Sequence, residues 1–257
     1  MDYSVCVPAV FNGMLITEAL KCIREAGYNH YEIWSWWDKD LDLLYRVQHE
    51  LHLRLTALCT RFIPLTDPNQ RTAYLEGLRE SVDASRKLGS DIIITQVGQE
   101  IQGVPRKQQH QNIIDGLKAC LPILEKYGCK LLIEPLNTKI DHPGYFLWQS
   151  EEAFEITDAV GSPLVQILYD VYHQHIMGED TIQEISRNTE GIGHIHIAGH
   201  PGRHEPHIKN EIDFGAVIKA LKASGYKQKV GLEYIPLGTP IEGLREIKER
   251  LSQRIIL

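Results

Sequence analysis

One strand–helix–strand unit lies between residues 91 and 134: DIIITQV (91–97), QNIIDGLKACLPILEKYG (111–128) and KLLIE (130–134). The runs IIIT and LLI are continuously apolar, which is typical of strands buried on both faces. The stretch between them is apolar at i, i+3 and i+4 spacing and ends at a glycine, which is typical of a helix. Two strands joined through a helix usually pair in parallel, so this segment predicts a parallel β–α–β unit.

The same alternation recurs along the whole chain. Helical patterns separate eight short apolar or β-branched runs, at residues 3–7, 31–34, 53–58, 91–97, 130–134, 164–170, 194–198 and 229–234. This order predicts a single-domain (β/α)8 TIM barrel over residues 1–257. An open doubly wound sheet fits less well, because no GxGxxG turn follows the first run and no GxxxxGK[ST] motif is present.

The composition narrows the class of partner and the compartment. The formal net charge is −7 and no basic patch is apparent, so we expect a small-molecule partner rather than nucleic acid. Five dispersed cysteines without a CxxC pair argue against a disulfide framework and favour a cytoplasmic location. No apolar stretch approaches the roughly 18 residues of a membrane span, so we expect no membrane association. A homo-oligomer is compatible with these features.

Four potential metal ligands stand at the ends of the last four predicted strands. Glu134 follows KLLI, Asp170 follows VQILY, His196 lies within HIHIA and Glu233 follows VGL. They are separated by 36, 26 and 37 residues, close to one β–α unit each, so consecutive parallel strands would aim them at one point. A single acidic residue at such a position is usually a helix cap, but four in succession predict a site for Mg²⁺, Mn²⁺ or Co²⁺.

Other segments near these strand ends are candidates for the walls of a site. Long irregular segments are expected after the fifth, sixth and seventh strands, at 135–149, 171–180 and 198–213, where barrel enzymes carry lids and substrate walls. The sequence WSWW follows the second strand. We expect Trp34 to belong to the barrel core. Trp36 and Trp37 either cover the substrate, bury an oligomer contact, or pack as ordinary core and surface residues.

Several motifs resemble the hydroxypyruvate isomerase family. They are IEPLN (133–137) with the following HPGYFL (142–147), YDVYH (169–173), GHIHIAGHPGRHEP (193–206) with the following EIDF (211–214), and LEYIP (232–236). The wider group of xylose isomerase-like barrels includes 2-oxo-tetronate isomerases and ketose 3-epimerases. The resemblance therefore implies an isomerase that acts on a small hydroxy-carbonyl compound.

The resemblance also implies roles for six residues. Positions matching Glu134, Asp170, His196 and Glu233 hold the metal, and the two glutamates double as the acid/base pair. Positions matching His173 and Arg203 contact substrate, and a guanidinium suits a bidentate grip on a carboxylate. Two positions depart from the hydroxypyruvate branch: His196 replaces a typical glutamine, as in the epimerases, and Ile235 replaces a common lysine. A ketose 3-epimerase is thus the alternative reading.

Two more distant functions also fit the barrel. An endonuclease IV-like phosphodiesterase would need further histidine and aspartate ligands for a multi-metal cluster. The third and fourth predicted strands end in LCTRF and TQVGQ without histidine, and no Asp-x-His follows His196. The other alternative is a sugar-sensing module without turnover, which the presence of both glutamates disfavours.

Overall fold

The structure, a computed structural model, describes residues 1–207 and 210–252. Within these ranges eight parallel strands close into a barrel in chain order, with the last strand paired to the first. The strands are β1 (Tyr3–Cys6), β2 (His30–Ile33), β3 (Arg54–Cys59), β4 (Ile92–Thr95), β5 (Lys130–Ile133), β6 (Val165–Asp170), β7 (Ile192–Ile197) and β8 (Val230–Leu232). Each boundary lies within two residues of the predicted run. The predicted (β/α)8 barrel is confirmed.

Helices surround the barrel. They are α1 (Val7–Val10), α2 (Ile16–Glu25), α3 (Leu41–Glu50), α4 (Arg71–Leu88), α5 (Arg106–Tyr127), α6 (Ser150–Val160), α7 (Val171–Met177), α8 (Thr181–Asn188), α9 (Phe214–Ala223) and α10 (Pro240–Ser252). Gly89 and Gly128 end α4 and α5 with φ of 78° and 67°, a left-handed conformation that glycine adopts without steric cost. Among the described residues, no helix combines the length and apolar character needed to cross a lipid bilayer.

The prediction of an irregular segment directly after the sixth strand is wrong. Helix α7 begins immediately after β6, and the Asp170 side chain caps it by accepting from the backbone N–H groups of Tyr172 and His173. A seven-residue helix is too short for apolar periodicity to identify it. The cap links the end of β6 rigidly to the first turn of α7.

The core has two layers. The larger apolar cluster lies between the strands and the helices. A second, smaller cluster is built from alternating positions of β3 to β6 and fills one side of the barrel interior: Ala57, Cys59, Ile92, Ile94, Leu132 and Leu168. Buried polar side chains from β2 and β7 meet on the other side, where Glu32 contacts His194 and His196. The barrel interior is therefore apolar on one side and polar on the side that supports the candidate site.

Candidate active site

The carboxyl ends of β5 to β8 bring four buried side chains together. Glu134 follows β5, Asp170 ends β6, His196 lies on β7 and Glu233 follows β8. One potential ligand atom from each of the four lies within 4.8 Å of the others. The ends of neighbouring parallel strands share one rim of the barrel, which explains why residues distant in sequence meet here. The structure brings together all four residues that the strand-end pattern selected.

The four residues fit a divalent cation. Asp170 Oδ2 and His196 Nδ1 are buried without a hydrogen-bond partner. Burial, and next the charge of Glu233, raises the pKa of Glu134 to about 8, and burial also raises the pKa of Asp170. Crowded buried carboxylates disfavour each other's charged form, and a cation among them removes that penalty. Three carboxylates and one imidazole are a suitable donor set for Mg²⁺, Mn²⁺ or Co²⁺.

Both oxygens of Glu233 accept hydrogen bonds from neighbouring elements. Oε1 accepts from Trp34 Nε1 at 2.8 Å and from Cys6 Sγ at 3.4 Å, and Oε2 accepts from Arg203 Nη2 at 2.5 Å. Burial by itself would raise the pKa of Glu233, but His196 and Arg203 outweigh burial and hold that pKa well below its usual range. Glu233 is thereby an oriented carboxylate in its charged form.

Glu134 is held from the side of β4. Its Oε2 accepts a hydrogen bond from Gln96 Nε2 at 3.0 Å. Its backbone carbonyl accepts from the Tyr145 hydroxyl at 3.0 Å, and that hydroxyl accepts from the Val97 N–H at 2.8 Å. These contacts tie the end of β5 to the segment after β4. Glu134 and Glu233 therefore enter the site from separate, independently supported strand ends.

Arg203 reaches the same cluster from the segment after β7. Its Nη2 lies 3.6 Å from Asp170 Oδ2, and its guanidinium carbon lies 5.1 Å from the centroid of the Tyr172 ring. The Arg203 backbone has φ of 58°, a left-handed conformation that costs a non-glycine residue roughly 1–2 kcal/mol. A hydrogen bond of 2.7 Å from Ile235 N to the Arg203 carbonyl fastens this residue to the segment after β8. The guanidinium is thus a fixed positive charge beside the carboxylates.

His173 is buried in α7, and its hydrogen bonds define its tautomer. The backbone N–H of Asn137 donates to His173 Nδ1 at 3.3 Å. Because Nδ1 accepts, the neutral ring carries its hydrogen on Nε2, which lies 3.6 Å from Asp170 Oδ2. Burial, and next the charge of Arg203, lowers the pKa of His173 well below its usual value. His173 therefore presents a neutral N–H donor at the edge of the cluster.

The expectation that Trp34 belongs to the core is wrong, and Trp36 takes the core position that was one of its alternatives. Trp34 is 40% exposed and bonds to Glu233, whereas Trp36 is buried and its Nε1 donates to Ser81 Oγ at 3.1 Å. Sequence reasoning also missed Glu32, which is buried on β2 and accepts from His194 Nε2 at 2.9 Å and from His196 Nε2 at 2.8 Å. One signal was present in the sequence for Glu32: it is a charged residue inside the predicted strand YEIW (31–34).

A cavity of about 660 Å³ opens beside the cluster. Glu134, His173, Arg203 and Glu233 lie on its inner wall. Its outer walls come from the segments after β3 and β4 and are mixed apolar and polar: Phe62, Ile63, Pro64, Thr66, Asp67, Gln70, Gln99, Glu100 and Ile101. The site is therefore accessible to a small molecule larger than a metal ion.

Residues 20–253 match the family model described as xylose isomerase-like TIM barrel. The chain belongs to this family. Within it, the chain is 32% identical over 178 residues to the hydroxypyruvate isomerase of Escherichia coli K12, a match covering 69% of this chain and 68% of that protein. It is 28% identical over 186 residues to the 2-oxo-tetronate isomerase of Cupriavidus necator, covering 72% and 71%. These relatives confirm the resemblance and the isomerase class that the motifs predicted.

Solved structures show the same fold. The crystal structure described as AP endonuclease, family 2 from Brucella melitensis superposes with a TM-score of 0.91 at 24% identity, covering 96% of this chain and 98% of that one. At this identity the likeness concerns the barrel and not its chemistry. At the site itself, Cys59 at the end of β3 and Gln96 directly after β4 line the cavity, and neither is a histidine.

Proposed function

We propose that this member of the family is a divalent-metal-dependent isomerase that interconverts hydroxypyruvate and 2-hydroxy-3-oxopropanoate, or a related 2-oxo-tetronate pair. The convergence of Glu134, Asp170, His196 and Glu233 within 4.8 Å at the barrel rim carries this proposal. The similarity to isomerases of both substrate types supports it.

The reaction moves a proton between neighbouring carbons. A C–H beside a carbonyl is a weak acid, so its removal needs a nearby base and stabilisation of the enediolate oxygens. When bound, Mg²⁺, Mn²⁺ or Co²⁺ would supply positive charge for those oxygens. Glu134 and Glu233 would flank the carbon skeleton from β5 and β8. One glutamate would remove the proton from C3 of hydroxypyruvate, the hydroxyl proton would pass from O3 to O2, and a proton would be returned to C2.

Two further side chains would bind the substrate. The Nε2–H of His173 is a neutral donor suited to a carbonyl or hydroxyl oxygen. Arg203 lines the cavity, and its Nε and Nη2 both donate to Glu233, so the pair formed by Nη1 and the second N–H of Nη2 remains for the substrate carboxylate. A carboxylate at this position would be held by the guanidinium next to Glu233.

The cavity is large for a three-carbon acid. Pockets of about 300–1,000 Å³ hold drug-sized ligands, and the cavity of about 660 Å³ falls in that range. A cavity of this volume accommodates a four-carbon 2-oxo-tetronate as readily as hydroxypyruvate. His196, in place of the glutamine of the hydroxypyruvate branch, favours a second candidate, a ketose 3-epimerase in which the proton returns to the opposite face of the same carbon.

A substrate panel with and without chelator tests the proposal. Hydroxypyruvate, a 2-oxo-tetronate and neutral ketoses would each be assayed in D₂O, before and after metal removal and after Mn²⁺ is restored. We expect oxo-acid turnover that chelation abolishes and Mn²⁺ restores, with solvent deuterium entering the product. Epimerisation of neutral ketoses without oxo-acid turnover would establish the second candidate, and turnover insensitive to chelation would refute metal dependence.

A further inference from the structure

The polar half of the barrel interior contains a connected set of three side chains beneath the candidate metal site. Glu32 Oε2 accepts from His196 Nε2 at 2.8 Å, and Glu32 Oε1 accepts from His194 Nε2 at 2.9 Å. All three residues are at most 2% exposed. We call this set the Glu32 bridge. It is almost completely shielded from solvent, so its role concerns the groups that it touches.

The bridge controls which nitrogen of His196 faces the other potential ligands. Nε2 is engaged by Glu32, and Nδ1 lies 3.3 Å from Glu233 Oε2 without a hydrogen-bond partner. An imidazole can rotate about its side-chain bonds and could otherwise present either nitrogen or turn away. A carboxylate that accepts from the second nitrogen fixes ring orientation and increases the electron density of the ligating nitrogen.

His194 in turn orients Glu32. The two histidines are two residues apart on β7, so both point into the barrel. One oxygen of Glu32 contacts each ring, which leaves the carboxylate a single arrangement. His194 makes no contact with Glu134, Asp170 or Glu233 among the described hydrogen bonds and ion pairs. Its ring also packs edge-on against His196, with the ring centroids 5.0 Å apart, so it reaches the site through Glu32 and through this ring contact.

The neighbouring strand is shaped to accommodate this arrangement. Gly231 lies on β8 beside the bridge, and a Cβ built on it would lie 2.4 Å from His196 Cδ2 and 2.8 Å from Glu32 Oε1. Any larger residue would displace the bridge. Burying one carboxylate and two imidazoles in a barrel core is costly unless all are paired, so hydrophobic side chains would serve packing alone at least as well.

We propose that Glu32 is a positioning residue for the metal site: it holds His196 with Nδ1 directed at Glu134, Asp170 and Glu233, and His194 keeps the Glu32 carboxylate in place. This inference rests on the proposed metal site. The same three residues are also near enough to one another to be considered as ligands of a second ion. Both oxygens of Glu32 are already occupied by N–H donors, which favours the positioning role.

The test measures Mn²⁺ affinity of the folded protein by calorimetry, without substrate. We expect Glu32→Gln to weaken Mn²⁺ binding by roughly 10- to 100-fold, the effect typical of losing such a partner. His194→Leu, which removes the donor to Glu32, should also weaken binding, whereas His194→Gln, which retains an N–H donor, should stay near the parent. Glu179→Gln is the matched control, because Glu179 accepts from Ser150 and Tyr169 away from the cluster. Circular dichroism and thermal unfolding verify that each variant is folded.

Several results would overturn the proposal. The first is an Mn²⁺ affinity of Glu32→Gln equal to that of Glu179→Gln. The second is an equal loss of Mn²⁺ affinity in His194→Leu and His194→Gln, and the third is the binding of two ions per parent chain. If Glu32→Gln does not fold, heteronuclear NMR of the cadmium-loaded parent with labelled histidine identifies the nitrogen of His196 that binds the metal. Ligation through Nδ1 is expected, and ligation through Nε2 would refute the proposal. A parent that binds Mn²⁺ with these properties but isomerises no oxo-acid would refute the proposed function only.

Discussion

The contact between Trp34 and Glu233 allows a sharp test, because the chain contains a matched control two residues away. Trp34→Phe removes the Nε1–H that donates to Glu233 Oε1 at 2.8 Å and keeps an aromatic ring. Trp36→Phe removes the same chemical group, but there it donates to Ser81 Oγ at 3.1 Å in the buried core. The two substitutions are chemically identical, and they differ in the partner that loses a hydrogen bond and in burial, since Trp34 is 40% exposed and Trp36 lies in the core.

The expected magnitudes follow from the partners. A hydrogen bond to a charged group contributes about 1.5–3 kcal/mol, and Trp34 is 40% exposed, so water replaces part of the lost donor. We therefore take about 1.5 kcal/mol, which corresponds to a roughly tenfold loss of turnover at saturating metal. Trp36→Phe loses a neutral buried bond of about 0.5–1.5 kcal/mol and also leaves a cavity in the core, so its melting temperature should fall by several degrees.

The assay compares kcat, KM and thermal unfolding of both variants with the parent. Trp34→Phe should have the lower kcat and a nearly unchanged melting temperature, and Trp36→Phe should show the reverse. Parental turnover in Trp34→Phe would remove Trp34 from the site. An equal loss of turnover in both variants would mean that the ring positions, and not the bond to Glu233, control activity.

Three further outcomes are expected. Glu134→Gln and Glu233→Gln should each lower turnover by about 10²- to 10⁴-fold with an unchanged circular dichroism spectrum, because an amide oxygen can coordinate but an amide neither accepts nor releases a proton near neutral pH. Near-normal turnover in either variant would exclude that residue from the acid/base pair. Arg203→Ala should weaken oxo-acid binding, measured as KM, by about 2–5 kcal/mol and affect neutral ketoses much less, and equal effects on both would argue against a carboxylate contact. Gly231→Ala should weaken Mn²⁺ binding, measured by the same calorimetry, because the added Cβ would displace His196. Gly238→Ala is the control and should leave Mn²⁺ affinity unchanged, because its added Cβ has no neighbour within 4 Å. Unchanged affinity in Gly231→Ala would contradict this prediction.

The sequence by itself determined the barrel and the rim that carries the site. Runs such as KLLI and VGL predict strands locally, and the residue that follows each run stands at a strand end whatever the packing of the helices. Parallel strands place their carboxyl ends on one rim, so the meeting of Glu134 and Glu233 follows from topology. The spacing of the four ligands thus needed no three-dimensional information.

Contacts across the barrel were decided only by the tertiary structure. Glu32 and His196 are 164 residues apart and lie on strands that do not pair with each other. Their meeting depends on strand register and on the space that Gly231 leaves, and no local pattern encodes either property. The direction of Trp34 likewise depends on how the segment after β2 turns over the rim towards Glu233. A strand can be predicted from the apolar pattern of a few neighbouring residues. The pairing of buried polar groups depends on the closed barrel, because each buried donor must find an acceptor on another element.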